Sequence, residues 1–284
     1  MTAQVPKQRL RAHFGFSKVP FRKAMWAAQM FDSQSQRELL AALTMWLEVR
    51  GFALVTGPSG VGKSITLRRL LGGLDDARFR VIDFPYVPST TTGFLRSLSR
   101  KLGLPTRAYG IDMFDAVKRH LADFEKEHGA HPIIVLDDAE GIAVPIIDTL
   151  RRLSCIDLDA DDRFSVLLSS TELLLGVLRD PILSPLRSRI AYTHALRPFG
   201  LEDTQNYVRF HLQRADVDDK LFTDDAIKRL FTASQGKPRA INQLAVQALI
   251  DVATAGQDAV DGRTLARIIS AHPLYQDIAA AAHS

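Results

Sequence analysis

The sequence predicts an α/β domain built on a parallel sheet, followed by a smaller helical domain. Three observations carry this. Short apolar runs at 51–56, 79–84, 133–136, 164–168 and 190–196 alternate with segments of helical spacing. The run at 133–136, Ile-Ile-Val-Leu, is apolar throughout, as a strand covered on both faces is. Beyond Pro198 the strand pattern stops, and 201–214, 224–232, 238–253 and 262–270 read as successive helices.

Each element has a local reason. Ser33 or Ser35 can cap a helix over 33–49 that places Leu39, Leu40, Leu43, Trp46 and Leu47 on one stripe. Strand 51–56 runs into a glycine-rich loop, and 65–71 is apolar at helical spacing. Phe79–Phe84 is a second strand, and 85–92 is polar and turn-rich. Helices are expected over 94–102, 113–124 and 146–153, with a short one over 172–178. Residues 190–196 alternate, as a strand with one wet face does. Residues 1–12 read as disordered or arm-like, and an aromatic cluster follows: His13, Phe14, Phe16, Phe21 and Phe31. That cluster either packs on a nucleotide base or caps the core. The expected domains are a basic arm and aromatic segment over 1–31, a nucleotide-binding α/β domain over 32–198, and a helical domain with a short tail over 199–284.

Composition narrows the function classes. The chain of 284 residues is 46% hydrophobic, ordinary for a globular protein. No apolar run approaches the ~18–20 residues of a membrane span, and Met1 to Arg11 lacks the apolar stretch of a secretory leader. The lone cysteine, Cys155, forms no internal disulfide and sits beside Leu153 and Ile156, so it reads as a packed thiol in a reducing cytoplasm. The net charge of +4 hints at an anionic partner. Lys7, Arg9, Arg11, Lys18, Arg22 and Lys23 stand before Asp32 with no acid among them. They form either a solvated tail or an arm touching nucleic acid or a neighbouring subunit. The histidines are irregularly spaced and lack cysteine partners, which argues against a zinc site.

The chemistry centres on Gly57-Pro58-Ser59-Gly60-Val61-Gly62-Lys63-Ser64, a G-x-x-x-x-G-K-[ST] phosphate-binding loop set between a strand and a helix. Glycines let backbone N–H groups turn inward around phosphates, and the helix N-terminus at Ile65 adds unpaired donors. Lys63 would reach the β- and γ-phosphates of ATP, and the Ser64 hydroxyl would ligate Mg²⁺. Asp137 and Asp138 end the third strand. Asp137 would hold Mg²⁺, and Asp138 stands where a base for the attacking water belongs; paired acids there also serve as helix caps. Ser170, or failing it Ser169, would orient that water or sense the γ-phosphate, unless these residues only make a turn. Arg187 or Arg189 would reach a neighbouring subunit's γ-phosphate, or else form surface ion pairs. Arg239, in Gly236-Lys237-Pro238-Arg239, would face the phosphates from the helical domain and couple hydrolysis to domain movement.

Together these motifs resemble the AAA+ ATPases, from about Phe14 to Ser270. The resemblance implies a three-layer α/β/α P-loop fold with a C-terminal helical lid, ATP hydrolysed to ADP, and homo-oligomers. His13-Phe14-Gly15-Phe16, Asp137-Asp138-Ala139-Glu140, Ser170-Thr171-Glu172-Leu173 and Gly236-Lys237-Pro238-Arg239-Ala240-Ile241-Asn242 are similar to the ExeA-type branch. That branch holds secretion ATPases and the TniB/TnsC/MuB-like regulators of DNA transposition.

The expected function is such a regulator. ATP-bound subunits would assemble on double-stranded DNA without sequence preference, as a ring or helical filament of about six subunits per turn. They would recruit a transposase and disassemble on hydrolysis. Thr91, Thr92, Arg96, Arg100 and Lys101 are the expected DNA contacts, or else an exposed helix face. The alternatives are a secretion or envelope-assembly ATPase acting on protein partners, and a nucleotide-binding switch with little hydrolysis. Two departures bear on the choice. The family usually has Glu where this chain has the shorter Asp138, which favours slow hydrolysis. Secretion-type members usually carry a membrane helix and further domains, absent from this sequence, so no membrane partner is expected.

Overall fold

Five strands form one parallel sheet: β1 (Phe52–Thr56), β2 (Phe79–Phe84), β3 (His131–Leu136), β4 (Ser165–Ser169) and β5 (Ile190–Ala195). Their order across the sheet is β2-β3-β4-β1-β5. The computed structural model describes residues 6–22, 30–156 and 161–275; Lys23 and the 279–282 alanine tail lie outside them. The three central strands are buried along their whole length, as continuous apolar runs require. The edge strand β5 alternates half-buried and exposed residues, matching its alternating sequence. Register is continuous through the centre: Leu54 lies beside Leu168, and Leu136 beside Leu168 on its other side.

The chain divides into two compact units, one of residues 35–58 and 63–196 and the other of residues 1–34, 59–62 and 197–284. The first contains the sheet. On one sheet face, Phe52, Leu54, Ile134, Leu136, Val166 and Leu168 share a core with helices α4 (Thr91–Lys101), α5 (Gly110–His128) and α6 (Val144–Ser154). The alternate residues Ala53, Val55, Ile133, Val135 and Leu167 point the other way along the pleat and are equally buried. Helices α2 (Gln34–Val49) and α3 (Lys63–Gly72) bury Leu39, Leu43, Trp46, Leu67 and Leu70 apart from the first core. The sheet thus has apolar cover on both faces.

At the opposite end of the strands from the phosphate loop, a polar chain ties the elements. Arg50 donates twice to Glu125, at 2.7 and 2.8 Å. His131, nearly fully buried, bonds Glu125 at 3.4 Å and the Ser165 hydroxyl at 2.9 Å. The Arg50 hydrogen bonds hold the Glu125 carboxyl below its ordinary range. Burial pushes His131 down, so it stays neutral.

The second unit is helical: α1 (Pro6–Phe14), α9 (Leu201–Gln213), α10 (Asp224–Ser234), α11 (Pro238–Thr254) and α12 (Gly262–Ala271). Its core joins Val208, Leu212, Ile227, Leu230, Ile241, Leu244 and Leu265. Phe16 and Phe21 are buried in it, which places the N-terminal aromatics in the helical core. This corrects the expectation of disorder for residues 6–12: residues 6–14 are helical, and Leu10 and Phe14 pack against that core, while residues 1–5 lie outside the described residues. Gly236 turns the chain from α10 into α11 with φ +67; a Cβ there would sit on the Phe199 carbonyl. The Phe199 amide donates to Gly236 O at 2.9 Å.

Candidate nucleotide site

In the sheet unit, β1 delivers the chain to Gly57 and α3 begins at Lys63. The α3 N-terminus therefore presents its first amides at the loop, where an anion is stabilised. The Lys63 ammonium donates to Gly57 O at 2.8 Å and Pro58 O at 3.2 Å, and the residue is only 6% exposed. Ser64 and Ile65 follow in the first turn, both half-buried. In the other unit, residues 59–62 lie against the start of α11. The Arg239 amide donates to Gly60 O at 3.2 Å, and Arg239 Nη1 donates to the Ser59 hydroxyl at 3.3 Å. Val61 is buried, at 1% exposure.

Because every strand is parallel, all C-terminal strand ends share one edge of the sheet, where open α/β sheets bind ligands. β4 stands between β3 and β1, so along that edge Asp137 follows β3, Ser169 and Ser170 end β4, and Gly57 follows β1. The Ser170 amide donates to Val55 O at 3.0 Å, two residues before Gly57. The Asp137 amide donates to Phe84 O at 3.3 Å. Asp137 Oδ1, Glu140 Oε2, and the hydroxyls of Ser169, Ser170 and Thr171 are all buried without a hydrogen-bond partner. A buried polar group left unpaired costs about 1–3 kcal/mol, more when charged. Five of them at two adjacent strand ends mark a polar site that a ligand completes. Asp138 differs: it is exposed, and its backbone is left-handed at φ 52° and ψ 46°.

The oxygen donors Ser64 and Asp137 suit a hard cation such as Mg²⁺, which binds through one or two protein oxygens and the substrate's phosphates. Among the described residues no group of three or more His, Cys, Asp and Glu side chains converges. The donor set therefore fits a cation shared with a nucleotide better than a protein-only cage.

Residues 47–178 match the family of the AAA domain. The matched segment runs from the end of α2 through β1 to β4 to the end of the short helix at 173–178. Over 84% of its length the chain is similar to "General secretion pathway protein A" of Aeromonas hydrophila, 31% identical over 243 residues. The chain spans 44% of that relative's length. Among solved structures, Cdc6p of Pyrobaculum aerophilum matches with TM-score 0.62 and 22% identity, over 86% of this chain and 69% of that one. The Aeropyrum pernix ORC1 protein, solved in complex with DNA, matches with TM-score 0.59 and 16% identity, over 88% and 65%. At such identities these two establish the fold, the P-loop α/β architecture.

The remaining candidates sit elsewhere on the AAA domain's unit. Arg187, on the single turn α8 (Ser184–Arg187), donates through Nη1 to the carbonyls of Leu178 at 2.5 Å and Asp180 at 3.0 Å. It thereby closes the end of helix α7 (Leu173–Leu178). Arg189 is half-buried, with Nη2 3.4 Å from Cys155 Sγ. Cys155 is itself half-buried rather than a full core thiol, and its thiol donates to Arg151 O at 3.2 Å. On α4, Thr92, Arg96 and Arg100 are exposed and Thr91 is half-buried. Thr90 caps that helix, accepting from Gly93 at 3.1 Å. Lys101 is engaged by Asp83 at 3.6 Å and lies 5.3 Å from the Phe84 ring centre. Glu140 is the residue that sequence reasoning left without a role, although it closes the Asp137-Asp138-Ala139-Glu140 segment.

Proposed function

We propose that this chain is an ATP-hydrolysing AAA+ protein of the ExeA type that works in a secretion or envelope-assembly pathway through protein partners. The observation that supports it most is the 31% identity over 243 residues to the general secretion pathway protein. In this reading the backbone of Gly57–Ile65 cradles the nucleotide phosphates, and Lys63 exchanges its loop carbonyls for the β- and γ-phosphates. Ser64 and Asp137 hold Mg²⁺, which when bound neutralises charge that develops on the phosphates. An acid after β3 positions water, and the Ser170 hydroxyl bonds the γ-phosphate or that water. Arg239 reads the nucleotide from the helical unit. Arg187 and Arg189 face a second copy of the chain, so nucleotide state sets self-assembly.

A second reading, the DNA-transposition regulator, draws on one observation: Arg96 and Arg100 stand exposed, one turn apart, on α4. Lys101 is committed to Asp83, which leaves that phosphate track short.

One experiment separates the two. Phosphate release and fluorescence anisotropy are measured with a 30-base-pair duplex, with ATP, with ADP and without nucleotide, at two salt concentrations. The protein-directed reading expects turnover that duplex DNA leaves unchanged and no ATP-dependent binding. Cooperative, ATP-dependent binding would overturn it in favour of transposition, with a salt slope that falls by up to about 2 when Arg96 and Arg100 are neutralised.

A further inference from the structure

We propose that Glu140, rather than Asp138, is the acid that holds the attacking water for ATP hydrolysis. The inference rests on the reading of this AAA domain as an active ATPase. Two acids follow the same strand yet differ in surroundings. Asp138 is exposed and occupies the left-handed region at φ 52°, where the chain turns off β3. Its side chain is also one methylene shorter than a glutamate. Glu140, on the tight turn Ala139–Gly141, is only partly exposed, and its Oε2 is buried without a hydrogen-bond partner.

A buried carboxylate oxygen with no donor is costly to keep, and such a group in a native fold calls for a reason. No ion pair neutralises Glu140 among the described residues. The surroundings supply the reason. The turn packs against α7. α7 is entered through Ser169, Ser170 and Thr171, whose three hydroxyls are buried and equally unpartnered, the two serines at 0% exposure. Asp137 Oδ1 is a fourth orphan, three residues before Glu140. Glu140 thus joins Asp137 as an acid after β3 with a desolvated oxygen, and unlike Asp137 it stands on the turn that packs against the helix those unpaired hydroxyls lead into. A water held there has an acceptor in Glu140 and donors in the serines.

Phosphoryl transfer through a loose transition state asks the protein mainly to position that water. Glu140 accepts a hydrogen bond from it and aims its oxygen at the γ-phosphorus. The new bond forms between water oxygen and phosphorus. The bond from phosphorus to the β–γ bridging oxygen breaks, its electron pair leaves on ADP, and the water's protons end on the phosphate product and in solvent.

The test uses the full chain with Mg²⁺ and ATP, comparing wild type with Glu140→Gln, Glu140→Asp, Asp138→Asn and Lys63→Ala. Steady-state kcat and KM are measured, the nucleotide retained on the protein is identified, and thermal unfolding is followed with and without nucleotide. Glu140→Gln is expected to lower kcat by about 100-fold or more with KM within about threefold, the split that marks an interaction made in the transition state. The retained nucleotide should be ATP, and the nucleotide-induced shift in unfolding should persist, which separates this effect from misfolding. Glu140→Asp should recover part of the loss, and Asp138→Asn should cost less than about tenfold. Turnover of Glu140→Gln within about threefold of wild type, or a full loss with Asp138→Asn alone, would overturn the assignment while ATP hydrolysis stands. A wild-type chain no faster than Lys63→Ala would overturn the ATPase reading and this inference with it.

Discussion

Gly60 is held by two constraints at once. Its φ of +79 lies where an L-residue is strained, and a Cβ there would stand 2.8 Å from Arg239 Cβ. The motif spacing makes the first constraint legible in the sequence. The second is not, because Arg239 is far along the chain and its approach to the loop is a tertiary fact. Gly60→Ala carries the left-handed penalty of about 1–2 kcal/mol. It also displaces the Arg239 amide from Gly60 O and the guanidinium from Ser59. We expect its ATP affinity, measured by calorimetric titration, to fall at least about tenfold, equivalent to about 1.4 kcal/mol. Affinity equal to wild type would mean that the loop reshapes freely and that the Arg239 contact does not support phosphate binding. Asp138 shows the limit of motif reading from the other side. Its position directly after Asp137, which follows the apolar run 133–136, marks it as a chemical acid, but only the structure reveals that Asp138 is exposed while the oxygen of Glu140 is buried.

Elements were legible where an apolar stripe or a cap wrote them. Strands β1 and β3 and helix α2 follow their apolar patterns, and the start of α12 is marked by Asp261, which accepts from Thr264 at 2.7 Å. Helix α5 exceeds its expected range, beginning at Gly110 without a side-chain cap and stopping where Gly129 adopts φ 73. Helix α1 was illegible because its nine residues carry only Leu10 and Phe14 as large apolar groups, too few to make a stripe. The N-terminal segment is anchored instead by single long-range contacts. The Phe21 amide donates to His211 Nδ1 at 3.3 Å, and the Phe21 ring lies 4.8 Å from that imidazole. Burial, with Arg214 nearby, pushes His211 down to about 3 from its ordinary 6.5. The unfolded chain therefore binds a proton that the folded one refuses. Stability is flat above pH 6.5 and falls as pH drops from there toward 3, by up to about 1.4 kcal/mol per unit. His211→Asn offers an acceptor at that position without a proton to gain. Urea unfolding at pH 7 and pH 5 should show wild type losing about 2 kcal/mol more than His211→Asn. Equal losses would show that His211 does not set the acid sensitivity of the helical unit.

At the scale of the whole molecule, the two compact units do not follow the order of the sequence. Residues 1–34 and 59–62 group with 197–284, and the sheet unit takes the rest. Composition marks the change of character near Pro198, where strands stop, but gives no sign that four residues inside the phosphate loop group with the helical unit. Anything bound to the folded form alone shifts unfolding by mass action. At 100 times its dissociation constant, Mg·ATP should stabilise the chain by about 2.7 kcal/mol. A domain of this size moves about 2–4 °C per kcal/mol, so unfolding should rise by about 5–10 °C. Lys63→Ala removes the ammonium that now bonds Gly57 O and Pro58 O and, in our reading, the β- and γ-phosphates. Its unliganded form should lose about 1–3 kcal/mol, the net contribution of a pair of such hydrogen bonds, so each chain is compared with itself with and without Mg·ATP. The ATP-dependent rise should then disappear. A Lys63→Ala chain that keeps the full rise would place nucleotide binding away from the phosphate loop, and the roles read from Ser64, Asp137 and Glu140 would lose their common ligand.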